Sequence, residues 1–548
     1  MSNDLLFEHF ATLATAPDGI ARLRELILLF AVQGKLGTNN PKELPLTIDE
    51  SKKRIRNVKS QDGESSRTQI IDVFPPDSIP KNWRKTSLGS VGIWSTGGTP
   101  SRQVSNYFDG GIPWIKSGDL NDGIVTKTDE TISQLGLDNS NAKLLPKGTI
   151  SIALYGATIG KLGILGIEST TNQACANCVI NEKIITTRYL FYFLRSQKSY
   201  FIQVGQGGAQ PNITNWIIWE WPIVIPPLNE QHRIIEKIDR LMALCDELEA
   251  RQQQERAGCL RLGTASLAGL QNAESTEEFD RQWAQVCDAF DMILDCPENV
   301  TVLRQTFLQL AVQGRLVRQE PGDEPVGKLV DRIRKEKERL VKEGKSKQEE
   351  PLGKIKEMKI PDAWQLCHLG EISEIIMGNS PPGETYNSSG DGVPLINGPT
   401  EFSKPPLGKT IISQYTTQPT KFCKENDLLI CVRGATTGRT NIAGFDACVG
   451  RGVAVIRSPS IQSYLNLFIL TKAQQILDMG TGSTFPSISQ NDLLTIQVPL
   501  PPLAEQHRIV ARVDALMALC DALESQLKER AGVQGRLANA IVKNVADA

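Results

Sequence analysis

The chain carries nearly the same 25 residues twice. Residues 226–250 read PPLNEQHRIIEKIDRLMALCDELEA and residues 501–525 read PPLAEQHRIVARVDALMALCDALES, with 17 of 25 positions identical at an offset of 275. A second pair, LRELILLFAVQGKL (23–36) and LRQTFLQLAVQGRL (303–316), matches at 8 of 14 positions. Between these anchors the copies are related but diverged: IPKNWRKTSLG (79–89) answers IPDAWQLCHLG (360–370), GIPWIKSG (111–118) answers GVPLINGP (392–399), and GATIGK (156–161) answers GATTGR (434–439). A period of half the chain constrains the fold more than any local signal, because both copies must form the same kind of unit. The 548 residues are therefore two copies of one unit, each with near-identical ends around a divergent middle.

The ends read as helices. Ile234, Ile238, Leu241, Cys245 and Leu248 are spaced 4, 3, 4, 3, and Ile509, Val513, Leu516, Cys520, Leu523 and Leu527 keep the same rhythm. A 3.5-residue period predicts a coiled-coil seam. Pro226-Pro227 and Pro501-Pro502 stand just ahead, and Glu230 and Glu505 fall in the first turn, where an acid suits the positive end of the helix dipole. The first such helix is expected from Glu230 to about Arg256, ~40 Å at ~1.5 Å per residue. A further helix is expected over 276–294, with Ser275 and Glu278 spaced as a capping box. The charged stretch 327–350 reads as a solvated helix or linker, with a basic DNA-binding tract as the other reading.

The middles, roughly 76–225 and 357–500, hold short apolar runs such as KGTISIALYG and NDLLICVRG between Gly, Pro, Asn and Ser clusters. That is the pattern of short strands and polar loops, with a helix such as TTRYLFYFLRSQKSYFIQ near the end. Composition fits a globular protein: 40% hydrophobic, 22% charged, net charge −2. No apolar run approaches the ~18 residues of a membrane span, no signal peptide opens the chain, and eleven scattered cysteines read as reduced thiols in a cytosol.

Catalytic signals fail on spacing. GATIGK has three residues between its glycines where a P-loop needs four, and Leu162 stands where a metal-binding hydroxyl is required, so it reads as a tight strand–turn–strand. Cys175 and Cys178 form one CxxC with no second pair, and read as buried thiols. His232 and His507 repeat at the helix starts, which suits helix-end packing or partner contact better than a single catalytic base. No dinucleotide loop follows a strand, and no Asn-Pro-Pro-aromatic methyltransferase loop occurs. The chain is expected to do no chemistry and to hold no cofactor or metal.

Binding residues are expected in the polar loops. The stretch from Lys421 to Arg457 has six basic residues against three acidic ones, and 76–227 has 13 against 10. In the first middle the candidates are Thr99, Ser101, Lys116, Ser117, Tyr155 and Lys161, followed by Asn172, Gln173, Gln206, Gln210 and Asn212. In the second they are Asn379, Ser380, Asn397, Arg433, Arg439 and Arg451, followed by Ser483 and Thr484. These are side-chain types that read base edges or hold phosphates.

Taken together, the duplicated PPLxEQxRI, the heptad helices, the AVQG(K/R)L repeats, the W-x3-LG openings at Trp83 and Trp364, GGTPS (97–101) and GATIGK make the chain resemble the specificity subunit of type I DNA restriction–modification systems. The resemblance covers the whole chain, with GNSPPG (378–383) and Arg439 departing from the pattern. It implies an α+β fold of two β-rich target-recognition domains with small helices, separated by long antiparallel coiled-coil helices in a pseudo-two-fold internal repeat. The implied division is an N-terminal helical region (1–75), recognition domain 1 (76–227), a central helix (228–262), a helical connector (263–356), recognition domain 2 (357–502) and a C-terminal helix (503–548). It further implies that each domain reads half of a split site in double-stranded DNA. The helices would then act as a ruler and dock two methyltransferase subunits, with restriction subunits joining the complex. AdoMet and ATP with magnesium would sit on those partner subunits, and the chain would be cytoplasmic with no membrane partner. A reading from the residues alone remains beside it: a protein-interaction scaffold of two β-rich modules on a coiled coil.

Overall fold

The computed structural model describes residues 10–48, 79–205, 212–344, 352–480 and 486–547. They form two compact units, Met1–Gln254 with Glu529–Ala548, and Glu255–Lys528.

In the first unit, helix α1 (Gly19–Val32) buries Leu23, Leu26, Ile27 and Phe30. The chain enters a sheet-rich domain through strand Arg84–Ser87 and leaves it through Pro222–Ile225. These strands pair antiparallel with Arg84 opposite Ile225, so entry and exit lie side by side. Within the domain a five-stranded sheet runs in the order Gly92–Thr96, Cys175–Ile180, Ile150–Ala153, Leu162–Leu165, Gly123–Val125. A three-stranded sheet is centred on Phe108–Ile115. The strands are short, and their fully buried members, such as Ile150, Ile152 and Cys178, belong to the same core as α1. Burial pushes the Cys175 thiol up to about 12, so Cys175 and Cys178 are inert core thiols of one strand. After Pro226-Pro227 comes helix α2 (Leu228–Asn272), whose first 27 residues belong to this unit.

The second unit holds the rest of α2, the short helices Thr276–Asp288 and Phe290–Leu294, helix α3 (Glu298–Val312) and helix α4 (Val326–Lys342). Its sheet-rich domain is entered through Gln365–His368 and left through Gln497–Leu500, again paired antiparallel, with Gln365 opposite Leu500. Inside lie a four-stranded sheet (Glu374–Met377, Val453–Arg457, Leu428–Cys431, Thr440–Ile442) and a five-stranded sheet containing Val393–Ile396 and Ala447–Val449. Helix α5 (Leu503–Asp547) follows.

The duplicated ends make duplicated contacts. Arg24 of α1 pairs with Asp246 and Glu249 at 2.6 and 2.7 Å; Arg304 of α3 pairs with Asp521 and Glu524 at 2.6 and 3.2 Å. Arg233 reaches Glu43 at 2.8 Å and Arg508 reaches Asp323 at 2.6 Å. Gln231 Nε2 donates to the carbonyl of Pro226 and Gln506 Nε2 to that of Pro501. Tyr189 and Tyr464 hydroxyls donate to the carbonyls of Val224 and Pro499 in the exit strands. The EQxR motif is thus a buried polar hub that seats each long helix against the loop after AVQG.

The two glutamates of that hub differ. Both are fully buried. Glu230 accepts from the Thr38 and Asn39 amides, the Thr38 hydroxyl and Arg233. Burial raises its pKa, but the bonds from Asn39, Arg233 and Thr38 outweigh burial and hold the carboxyl below its ordinary value. Glu505 accepts only from Trp364 Nε1, at 3.0 Å, and its Oε2 has no partner among the described residues. There burial wins and the pKa is raised. The loop sequences differ accordingly: a Cβ on Gly37 would lie 2.1 Å from Glu230 Oε1 and Thr38 adds a hydroxyl donor, where the second copy has Val317 and Arg318.

Several expectations are corrected. The central helix extends ten residues past 262, giving 45 residues, about 67 Å at ~1.5 Å per residue. Leu267 and Leu270 are buried beside Val300, Leu303 and Cys520, and this packing outweighs the weak helix propensity of GTASLAG. The 276–294 helix is broken at Ala289. The charged stretch is helical over Val326–Lys342, and it is not fully solvated, because Val326, Leu329, Val330 and Ile333 are buried; residues 345–351 lie outside the described ones. Each heptad stripe finds buried neighbours within its own unit. Ile234, Ile238 and Cys245 bury against α1, the first domain, Ala538 and Ile541, with Leu241 and Leu248 packed on that core. Ile509 and Val513 join the second domain's core, and Cys520, Leu516, Leu523 and Leu527 pack with Leu267, Leu270 and α3. The stripe's period marks burial, and its neighbours are set by tertiary packing.

Candidate nucleic-acid interface

Both sheet-rich domains build the same small backbone frame. In the first, Gly97 and Gly98 amides donate to the carbonyls of Cys175 and Thr171, and the Asn172 amide to that of Ile115. In the second, Gly378 and Asn379 amides donate to Val453 and Val449, and the Gly450 amide to Ile396. These bonds fix the correspondence: Thr99 with Ser380, Lys116 with Asn397, Gln173 with Arg451. The GAT turns complete it. Each joins two antiparallel strands, with Gly156 at φ +74° and Gly434 at φ +81°. The residue ahead of each glycine forms an isolated antiparallel bridge to the stretch before the last short helix: Tyr155 with Asn212, and Arg433 with Ser487. One scaffold therefore presents Tyr155, Gln173 and Asn212 in one domain, and Arg433, Arg451 and Ser487 in the other.

In the second domain the frame lines an open polar concavity of about 970 Å³, walled by Ser380, Asn397, Arg433, Arg451 and Ser487. Ser380 Oγ donates to Asn397 Oδ1 at 3.2 Å and accepts from the Arg451 amide at 3.1 Å. Gly450 and Gly452 flank Arg451 because a Cβ on Gly450 would lie 2.0 Å from Asn397 Oδ1, and one on Gly452 2.8 Å from the Asn397 carbonyl oxygen. Arg433 and Arg451 are exposed. In the first domain Tyr155 is half-buried, with Gln173 hydrogen-bonded to its hydroxyl, and burial raises its pKa. Gln173 and Asn212 are exposed.

Other sequence candidates fare differently. Lys116 is tied to Glu130 at 2.6 Å, which also takes Arg102 at 2.9 Å. Arg439 is not presented outward: its guanidinium donates to the Ser403 carbonyl at 2.9 Å and lies over the Phe402 ring. Asn172 accepts from the Cys175 thiol. Thr99, Ser117 and Lys161 are half-buried, whereas Ser101 and Asn379 are exposed. Gln206, Gln210, Ser483 and Thr484 lie outside the described residues. Ser487 was missed by the residue-type reading, although it stands at the 275 offset from Asn212.

The sequence pattern of the type I restriction modification DNA specificity domain matches residues 80–256 and 361–531. The chain belongs to this family. It is 28% identical over 95% of its length to the type I restriction enzyme EcoAI specificity subunit of Escherichia coli, covering 93% of that protein. It is 26% identical, at the same coverages, to the EcoEI specificity subunit of Escherichia coli. In fold it resembles a chain from a solved structure concerned with assembly of a type I R-M system, with TM-score 0.51, 22% identity, and coverage of 85% of this chain and 98% of that one. As a specificity subunit it is a non-catalytic, DNA-recognising member of a restriction–modification complex. Among the described residues no helix is long and apolar enough to cross a membrane.

Proposed function

We propose that the chain reads a bipartite, asymmetric site in double-stranded DNA, one half with each sheet-rich domain, while its duplicated helices hold two copies of an adenine methyltransferase subunit. Restriction subunits join the same complex, and AdoMet and ATP with magnesium belong to those partners. The observation that carries the reading is the shared frame with different contents: Tyr155, Gln173 and Asn212 against Arg433, Arg451 and Ser487. A common scaffold with changed side chains is what two readers of unlike half-sites require. Within each unit the start of one long helix and the end of the other enter the same core or the same unit, which favours an antiparallel pair as the spacer.

The test is DNA binding across a salt series, with the full chain and its methyltransferase subunit. Neutralising several phosphates makes log K fall steeply with log salt, and one bipartite sequence should stand well above random duplex. Salt-independent or sequence-blind behaviour would favour the scaffold reading.

Partner docking has its own expected outcome. Leu244 and Leu519 occupy the same repeat position and are 48% and 66% exposed, beside identical exposed alanines Ala243 and Ala518. An apolar side chain held outward in both copies suits one partner met twice. Leu244→Asp with Leu519→Asp should leave the melting temperature within a few degrees of the parent and abolish co-elution with the methyltransferase subunit. Normal co-elution would remove these leucines from the docking surface.

A further inference from the structure

We infer that Arg451 and Gln173 are equivalent specificity determinants, Arg451 reading a guanine in the second domain's half-site and Gln173 an adenine in the first's. The inference rests on the DNA-reading function proposed above and adds which residue reads which base.

A guanidinium can read a base only if the protein has not already consumed it. In the basic stretch of the second domain Arg457 is held by Asp427 at 2.6 Å and Glu374 at 3.2 Å. Arg439 is spent on the Ser403 carbonyl. Glu401, four residues after Asn397, is occupied by the Asn397 and Gly398 amides and by Ser413. Arg433 and Arg451 are exposed on the wall of one concavity, and no carboxylate pairs with either among the described residues. Arg451 is also held at its backbone, because its amide donates to Ser380 and the flanking glycines let Asn397 close over the turn. A pinned backbone gives the fork a defined direction, which a bidentate contact to guanine O6 and N7 needs.

Among the described residues, the first domain carries no cation at either corresponding position. Gln173 stands where Arg451 does, and Tyr155 where Arg433 does. Lys116, at the place of Asn397, is paired with Glu130, and Lys161 stands at the place of Arg439, not of Arg433 or Arg451. What remains is an exposed amide that gives one N–H to the Tyr155 hydroxyl and keeps its carbonyl and second N–H, which match the N6 and N7 pattern of adenine. The two half-sites should therefore differ in base chemistry: a G·C pair under Arg451, with Arg433 beside it, and an A·T pair under Gln173.

The experiment selects bound duplexes from a randomised pool, using the full chain with its methyltransferase subunit, for the parent, Arg451→Gln and Gln173→Arg. Both side chains are exposed, so unchanged melting curves should accompany the substitutions. Arg451→Gln is expected to turn one guanine of one half-site toward adenine, with about a 5- to 150-fold loss on the parental site. Gln173→Arg should turn one adenine of the other half-site toward guanine and leave the first untouched. Unchanged consensus sequences in the variants, or equal weakening on all duplexes as a phosphate contact gives, would overturn the assignment. A parent that enriches no sequence would instead overturn the DNA-reading function itself.

Discussion

Four residues inserted into each long helix, after Gln254 and after Lys528, are expected to lengthen the gap between the two half-sites by about one or two base pairs and to leave both half-site sequences unchanged. The insertion adds ~6 Å of rise and ~40° of rotation, against ~3.4 Å per base pair of B-DNA. The positions follow from the structure. Asp246 and Glu249 are bound by Arg24, and Asp521 and Glu524 by Arg304, so an insertion among them would break packing within a unit. Residues 253–257 and 528–533 are exposed and coincide with the passage of each helix from one unit to the other. Sequencing of methylated adenines in cells carrying the lengthened chain measures both half-sites and the spacer. The parental spacer at full occupancy would mean the helices do not set the distance. An altered half-site would place base reading on the helices.

Removing the charge of Glu230 should cost far more than removing that of Glu505. Glu230→Gln keeps the volume but replaces one acceptor oxygen by a donor facing the Thr38 and Asn39 amides and Arg233, all around a fully buried site. Breaking such a buried, charge-assisted cluster costs about 3–5 kcal/mol, a large share of the ~5–15 kcal/mol that holds an ordinary domain folded. Glu505→Gln keeps an oxygen to accept from Trp364 and removes a burdened carboxylate, so a change within about 1 kcal/mol is expected. The pH dependences run in opposite directions. Glu230 has a depressed folded pKa, so its stabilisation is full above the unfolded value near 4.5 and is lost as pH falls through the folded value. Glu505 has a raised folded pKa, so stability falls as pH rises from near 4.5 through the folded value, and Glu505→Gln should abolish that fall. Hydrogen exchange at 36–43 and at 316–325 reads the two hubs separately. Equal loss of protection in both variants would show that the two glutamates carry equal weight.

The candidate site was legible where side-chain type and repeat position coincide. Arg433, Arg451, Asn397, Ser380, Tyr155, Gln173 and Asn212 lie on the shared frame, as polar loop residues of the divergent middles. Lys116 and Arg439 look equally suitable as residue types, but Glu130 and the Ser403 carbonyl take their charges. Such partners come from 14 and 36 positions away, so no local pattern announces them.

The sequence by itself determined that the chain is two copies of one unit, where each long helix begins, and which stretches are sheet-rich, because repeats, prolines and periodicity are written along the chain. Only the tertiary structure decided what the heptad stripes touch, since a 3.5-residue period specifies a buried face without naming its neighbour. It also decided the 45-residue length of α2, where packing of Leu267 and Leu270 outweighs weak propensity. The pairing of Gln173 with Arg451 was decided there as well. The two residues are 278 apart while the helix starts are 275 apart, so the loops between them differ in length and backbone hydrogen bonds alone set the correspondence.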